Sequence, residues 1–173
     1  MTTANKLTML RIVLIPVFLI VLYIGFPGAN WVALGIFIIA SVTDTLDGYV
    51  ARHYNQITNF GKFMDPLADK MLVMAAMCWF VQSGQMWGWV LAVVLLREFA
   101  VSGMRLVAVE QGRVIAAAWS GKVKTAATMV CLCIMLAVDI GRLNLVCQAV
   151  ILVTTLYSGV EYFIKNRDVF GSA

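Results

Sequence analysis

The chain has 173 residues, of which 62% are hydrophobic and only 13% charged, against about 45–50% apolar and about 25% charged in an ordinary soluble domain. That composition excludes a water-soluble globular enzyme and predicts an integral membrane protein, with residues 1–173 forming one membrane domain and nothing left over for a soluble one. The net charge of +4 calls for no nucleic-acid partner, because basic residues held on one side of the membrane and anionic membrane lipids account for it.

Runs of roughly 17–25 mainly apolar residues, each able to cross about 30 Å of hydrocarbon as a helix, recur along the chain. They predict an all-α bundle of six transmembrane helices: Leu7–Ile24, Trp31–Arg52, Met64–Val81, Trp87–Val107, Lys122–Val138 and Leu143–Ile164. The first follows Lys6 and contains Arg11, as the start of a signal peptide does, but no A-x-A-like cleavage site follows, so it reads as a retained span. Turn signals separate the spans: "GFPGAN" at Gly25–Asn30, "QSGQ" at Gln82–Gln85, "EQGRV" at Glu110–Val114 and "DIGR" at Asp139–Arg142.

Charge tests this layout independently. Lys6, Arg11, Arg52, Lys62, Lys70, Arg105, Arg113, Lys122, Lys124, Lys165 and Arg167 fall on one side of the six spans, and Arg142 on the other. Basic residues concentrate in the cytoplasm, so both termini are expected there. Trp31, Trp87 and Trp89 fall at the opposite ends, where an aromatic belt belongs. Cys78, Cys131, Cys133 and Cys147 lie in apolar runs without the spacing of a zinc site and read as small hydrophobes.

The chemistry concentrates between the second and third spans. Asp44 and Asp47 are three residues apart and share one helical face; Asp65 and Asp69 are four apart where the third span begins. The loop between, about Tyr54 to Phe63, is short enough to make the helices antiparallel neighbours and to bring four carboxylates into one cavity. Four anions that close require either protonation or neutralising cations. Oxygen-only ligands favour a hard ion, Mg²⁺ or Mn²⁺, and a two-metal site is the natural inference, with a phosphate-bearing substrate completing it. Gly48, Ala51 and Gly61 leave room for a base or phosphate near the backbone, although such residues serve helix packing equally well.

Asp44, Asp47, Gly48, Ala51, Arg52, Gly61, Asp65 and Asp69 read D-x2-D-G-x2-A-R-x8-G-x3-D-x3-D, which resembles the signature of the CDP-alcohol phosphotransferases at every fixed position. The resemblance implies six membrane helices, two metal ions, and transfer of a phosphatidyl group from a CDP-linked lipid to an alcohol with release of CMP. It assigns Asp44, Asp47 and Asp65 to the metals, and Asp69 to the general base with a metal contact of its own. Gly48, Ala51, Arg52 and Gly61 would line the CDP pocket, with Arg52 near the diphosphate. A homodimer is implied as well.

Arg97 and Glu98 sit inside the fourth span, Arg105 lies two turns on, and Lys122 and Lys124 open the fifth in "GKVKT". An arginine within a span needs a cavity or a partner. One reading makes Arg97 and Glu98 a buried structural pair. The other gathers Arg97, Arg105, Lys122 and Lys124 into an anion pocket for an acceptor carrying a phosphate, which serine or choline would not require. "REFAVSGMR", "GKVKTA" and "SGVEYFIKNRDVF" resemble the bacterial, phosphatidylglycerophosphate-forming branch of the family, which implies CDP-diacylglycerol as donor, sn-glycerol 3-phosphate as acceptor and a bacterial inner-membrane location with the site facing the cytoplasm. Inositol phosphate or a second lipid as acceptor, or a divalent-cation transporter, are the rival readings.

The opening "NKLTMLR" also resembles that branch, and Asn5 and Thr8, three apart, would face the nucleotide, with Arg11 further along; Asn5 as a simple helix cap is the alternative. His53 reads as a solvated residue, and Glu161 in the sixth span has no assigned role.

Overall fold

The computed structural model describes residues 3–53, 59–113, 115–116 and 118–167, with the side chains of all of these except 3–7, 44–53, 59–66 and 69. The described residues form six helices and no strand: α1 (Thr3–Ile24), α2 (Ala29–His53), α3 (Asn59–Gln82), α4 (Gly88–Glu110), α5 (Trp119–Ala137) and α6 (Gly141–Lys165). Each predicted span falls on one helix, and most helices extend further into polar sequence. Hydropathy marks only the apolar middle of a helix, whereas the backbone hydrogen-bond ladder runs until a residue stops it.

Glycine provides several of those stops. Gly25, Gly84 and Gly112 follow α1, α3 and α4 with φ of 66°, 76° and 73°, a conformation that costs a side-chain-bearing residue far more. At the end of α4 the Gly112 N–H donates to Val109 O at 2.9 Å and the Arg113 N–H to Ala108 O at 2.8 Å, the paired bonds of a Schellman cap. The "DIGR" turn is narrower than the sequence predicts: Gly141 and Arg142 already belong to α6, and extended Ile140 precedes it. The Asn144 amide donates to Asp139 Oδ1 at 3.1 Å across this junction.

The chain packs as two compact units, one made of α1–α3 with Leu136–Val138, the other of α4, most of α5, and α6. In the first, α1 touches both α2 and α3, and α2 touches α3. Phe18, Leu22, Phe37, Leu72, Met77 and Phe80 fill its core, and fully buried Ala33, Ala40 and Ala76 let the helices approach closely. In the second, α4 packs along α6, with Val101, Met104, Ala108 and Tyr162 in one apolar cluster. The start of α4 has no side-chain cap of its own. Gln148 of α6 serves it instead, accepting the Trp87 N–H at 2.9 Å and donating to Gln85 O at 3.1 Å.

The helices are apolar outside as well as inside. Met9, Val13, Val17, Ile20 and Ile24 form an exposed stripe on α1, and Val146, Val150, Val153, Tyr157, Val160 and Ile164 another on α6. Among the described residues, α5 and α6 are long and apolar enough to cross a membrane, while α1, α2 and α3 contribute shorter apolar stretches, Thr8–Ile24, Ala29–Thr43 and Lys70–Gln82. In α4 the apolar sequence is interrupted by Arg97, Glu98 and Arg105. Water-facing aliphatic stripes of this extent are foreign to soluble monomers and fit a protein of the membrane.

Candidate active site

Asp44, Asp47, Gly48, Ala51 and Arg52 lie in the C-terminal part of α2, and Gly61, Asp65 and Asp69 in the N-terminal part of α3. Residues 54–58 join the two helices, which touch one another. The backbone thus keeps each aspartate pair at the helical spacing that puts both members on one face. The side chains of these eight residues, and of Asn5, lie outside the described ones. Among the described residues no three His, Cys, Asp or Glu side chains are grouped to hold a metal. Asn5 lies inside α1, which begins at Thr3, so the cap position predicted as its alternative role falls elsewhere.

A buried cation stands one turn from the carboxylate segment. Arg11 is fully buried, as is Thr8 one turn before it. The Arg11 Nε donates to the Ala40 carbonyl oxygen at 3.3 Å, the oxygen that also accepts from the Asp44 N–H in regular helix geometry. A guanidinium stays charged in proteins and is costly to bury without acceptors or anions. From sequence Arg11 is placed only further along the helix from Asn5 and Thr8. Its place within an apolar run, the same signal that singled out Arg97, would have found it.

The four cations predicted to share one pocket divide into three settings. Arg97 and Lys124 meet at a single carboxylate oxygen: Glu98 Oε1 lies 2.9 Å from Arg97 Nη1 and 2.6 Å from Lys124 Nζ. These side chains are 13%, 12% and 6% exposed for Arg97, Glu98 and Lys124, so the trio is a buried ion cluster. Arg97 Nη2 also donates to the Ser158 hydroxyl of α6. Arg105 instead is exposed, with its Nε donating to the Tyr162 hydroxyl at 3.0 Å and its guanidinium 5.5 Å from that ring's centroid. Lys122, exposed as well, lies over the Trp119 ring at 5.9 Å. Arg97 and Glu98 are therefore paired, and Lys124, grouped with Arg97 from sequence, meets it through the same Glu98 carboxylate.

Tyr162 connects Arg105 to a cavity of about 330 Å³ lined also by Arg113, Ala118, Lys165 and Asn166. Arg113 and Lys165 had no place in the predicted pocket. Lys165 is bonded to Glu161 one turn before it, which gives the unassigned Glu161 a partner. His53 ends α2 with its side chain outside the described ones.

The sequence pattern of the CDP-alcohol phosphatidyltransferase family matches residues 1–160. The chain belongs to that family. Three bacterial relatives carry the name CDP-diacylglycerol–glycerol-3-phosphate 3-phosphatidyltransferase. The Bacillus subtilis (strain 168) protein is 41% identical over 183 residues, covering 95% of this chain and 94% of its own. That of Salmonella paratyphi A is 40% identical over 171 residues, with 93% and 92% covered. That of Shigella flexneri serotype 5b is 38% identical over 169 residues, again with 93% and 92% covered. Similarity of this extent leaves no large segment of the family member unmatched on either side.

Proposed function

We propose that the protein transfers the phosphatidyl group of CDP-diacylglycerol to sn-glycerol 3-phosphate, giving phosphatidylglycerol phosphate and CMP. The observation that carries this is the eight-residue spacing from Asp44 to Asp69, set on two touching helices in a chain similar throughout to relatives bearing that name. The acceptor hydroxyl attacks the phosphatidyl phosphorus. A new O–P bond forms, the diphosphate P–O bond breaks with its electrons leaving on CMP, and the hydroxyl proton passes to Asp69.

The donor set fits a hard divalent ion, being made of carboxylate oxygens without sulfur or imidazole. Asp44, Asp47, Asp65 and Asp69 would hold two Mg²⁺ or Mn²⁺ ions, which when bound draw charge from the diphosphate oxygens and stabilise the departing CMP. Gly48, Ala51 and Gly61 let the nucleotide approach the backbone, Arg52 neutralises the diphosphate, and Asn5 and Thr8 orient the nucleotide. Arg97, Arg105, Lys122 and Lys124 supply positive charge for the acceptor's phosphate.

The whole of residues 1–173 acts as one catalytic domain of six spans, with both termini and the site on the cytoplasmic side of the bacterial inner membrane, working as a homodimer. Support for this orientation comes from the one-sided distribution of Lys and Arg. The lipid tails of the donor stay in the bilayer while the soluble acceptor arrives from water.

The test is CMP release by the purified protein from CDP-diacylglycerol, with and without glycerol 3-phosphate and divalent metal. Release that requires both supports the reading. Release driven equally by glycerol or better by inositol phosphate overturns the acceptor, and metal flux into liposomes without any CMP release overturns the enzyme.

A further inference from the structure

We infer that Glu98 is a positioning residue: it fastens Arg97 of α4 and Lys124 of α5 into a single receptor for the acceptor's phosphate, seated on Ser158, Gly121 and Gly159. This rests on the glycerol 3-phosphate reading above. Both cations reach the same atom, Glu98 Oε1, at 2.9 and 2.6 Å. Two positive groups brought to one point on adjacent helices repel each other strongly unless an anion lies between them. The carboxylate therefore makes their closeness possible, and it leaves the trio with one net positive charge.

Donors remain as well as charge. Arg97 Nε is buried with no hydrogen-bond partner among the described residues, and an ammonium has three N–H groups of which Glu98 occupies one in Lys124. A buried cluster with surplus positive charge and spare donors is matched to an oxyanion. A cluster serving packing alone would be expected to close its charge and its donors upon itself.

The seat is shaped around Arg97 specifically. A Cβ on Gly159 would lie 3.3 Å from Arg97 Cγ, and one on Gly121 would lie 3.6 Å from Arg97 Nη2. Both glycines lie in helices, where the residue costs about 1 kcal/mol against alanine; at Gly159 the tight approach of Arg97 supplies a packing reason, whereas at Gly121 a Cβ would make only ordinary contact. Ser158, fully buried, holds the other end of the guanidinium. Thus α4 carries the cation, α6 leaves a side chain out at Gly159 to admit it, and Glu98 ties it to Lys124 of α5.

The test uses the full-length protein with saturating CDP-diacylglycerol, measuring initial CMP release against glycerol 3-phosphate. Glu98→Gln is expected to raise the KM for glycerol 3-phosphate roughly tenfold, the scale of one hydrogen bond to a charged group, while the KM for CDP-diacylglycerol stays put. Glu98→Asp, which keeps the charge, should recover part of the loss. Gly159→Ala leaves every charge in place and displaces Arg97, so it should raise the same KM by a smaller factor. Added to Arg97→Gln/Lys124→Gln, Glu98→Gln should produce no further rise, since it acts through those two. Lowered thermal stability at unchanged KM in both Glu98→Gln and Gly159→Ala would make the trio a structural ion cluster and overturn the inference. If Glu98→Gln does not fold, Gly159→Ala decides alone, an unchanged KM overturning it. Wild-type protein that releases no CMP in response to glycerol 3-phosphate would overturn the acceptor reading and this inference together, whereas a normal wild-type response with unchanged variants overturns the inference only.

Discussion

In α4–α6 three of the four cations marked from sequence have partners drawn from distant parts of the chain: Arg97 meets Ser158, Lys124 meets Glu98, and Arg105 meets Tyr162. In α1–α3 the acids follow a fixed local spacing on two consecutive helices, with Arg11 buried one turn away. The first arrangement depends on geometry that three helices must agree upon; the second on spacing that each helix supplies alone. Damage to the α2–α3 aspartates should therefore stop the chemistry, and damage to the α4–α6 cations should chiefly change how much acceptor is needed.

Metal removal is the harshest test of that contrast. Chelation with EDTA should abolish CMP release, and added Mg²⁺ or Mn²⁺ should restore it; Asp44→Asn or Asp65→Asn should shift the metal titration to higher concentration. An active variant with an unmoved titration curve removes that residue from the ligands. Next comes Asp69→Asn, which keeps size but cannot take the proton, and should lower kcat by roughly 10²-fold or more. Near-normal turnover across pH would exclude Asp69 as the base.

The cation side should respond differently. Arg105→Gln is expected to raise the KM for glycerol 3-phosphate about tenfold with kcat little changed, the pattern of an interaction present in ground and transition states alike. A fall in kcat without a change in KM would blur the distinction between the two units. The smallest effect is expected from Lys122→Gln, at most about fivefold in the same KM, because an exposed cation over an aromatic ring contributes about 0.5–1 kcal/mol at most. A larger change would mean that Lys122 leaves Trp119 to meet the acceptor.

The six helices and the carboxylate signature were legible because both are local. Apolar runs reveal helices through burial in a uniform solvent, and Asp44/Asp47 and Asp65/Asp69 reveal shared faces through helical period. The grouping of Arg97 with Lys124 was foreseen as a common pocket, but its means was not. Glu98 and Lys124 are 26 positions apart, Arg97 and Ser158 61 apart, and no periodicity relates residues on three separate helices. The close approach of Arg97 to Gly159 likewise leaves no mark in the sequence, since the two residues lie on separate helices. The narrower turn at Asp139–Ile140 has a similar cause, since glycine at 141 signals a turn in sequence but starts a helix where Asn144 bonds back to Asp139.

The exposed aliphatic stripes of α1 and α6 have a consequence for which substitutions the protein can accumulate. In the bilayer proposed for it, hydrocarbon surrounds those side chains whether they are valine, leucine or isoleucine, so exchange among them leaves stability almost unchanged. The small residues of the α1–α3 interior have no such freedom. Fully buried Ala33, Ala40 and Ala76 set how near the helices lie, and a larger side chain at any of them would drive apart the helices that carry Arg11 and the aspartates. Sequence drift in this protein should therefore run opposite to that of a soluble enzyme, fast among large hydrophobic residues and slow among alanines.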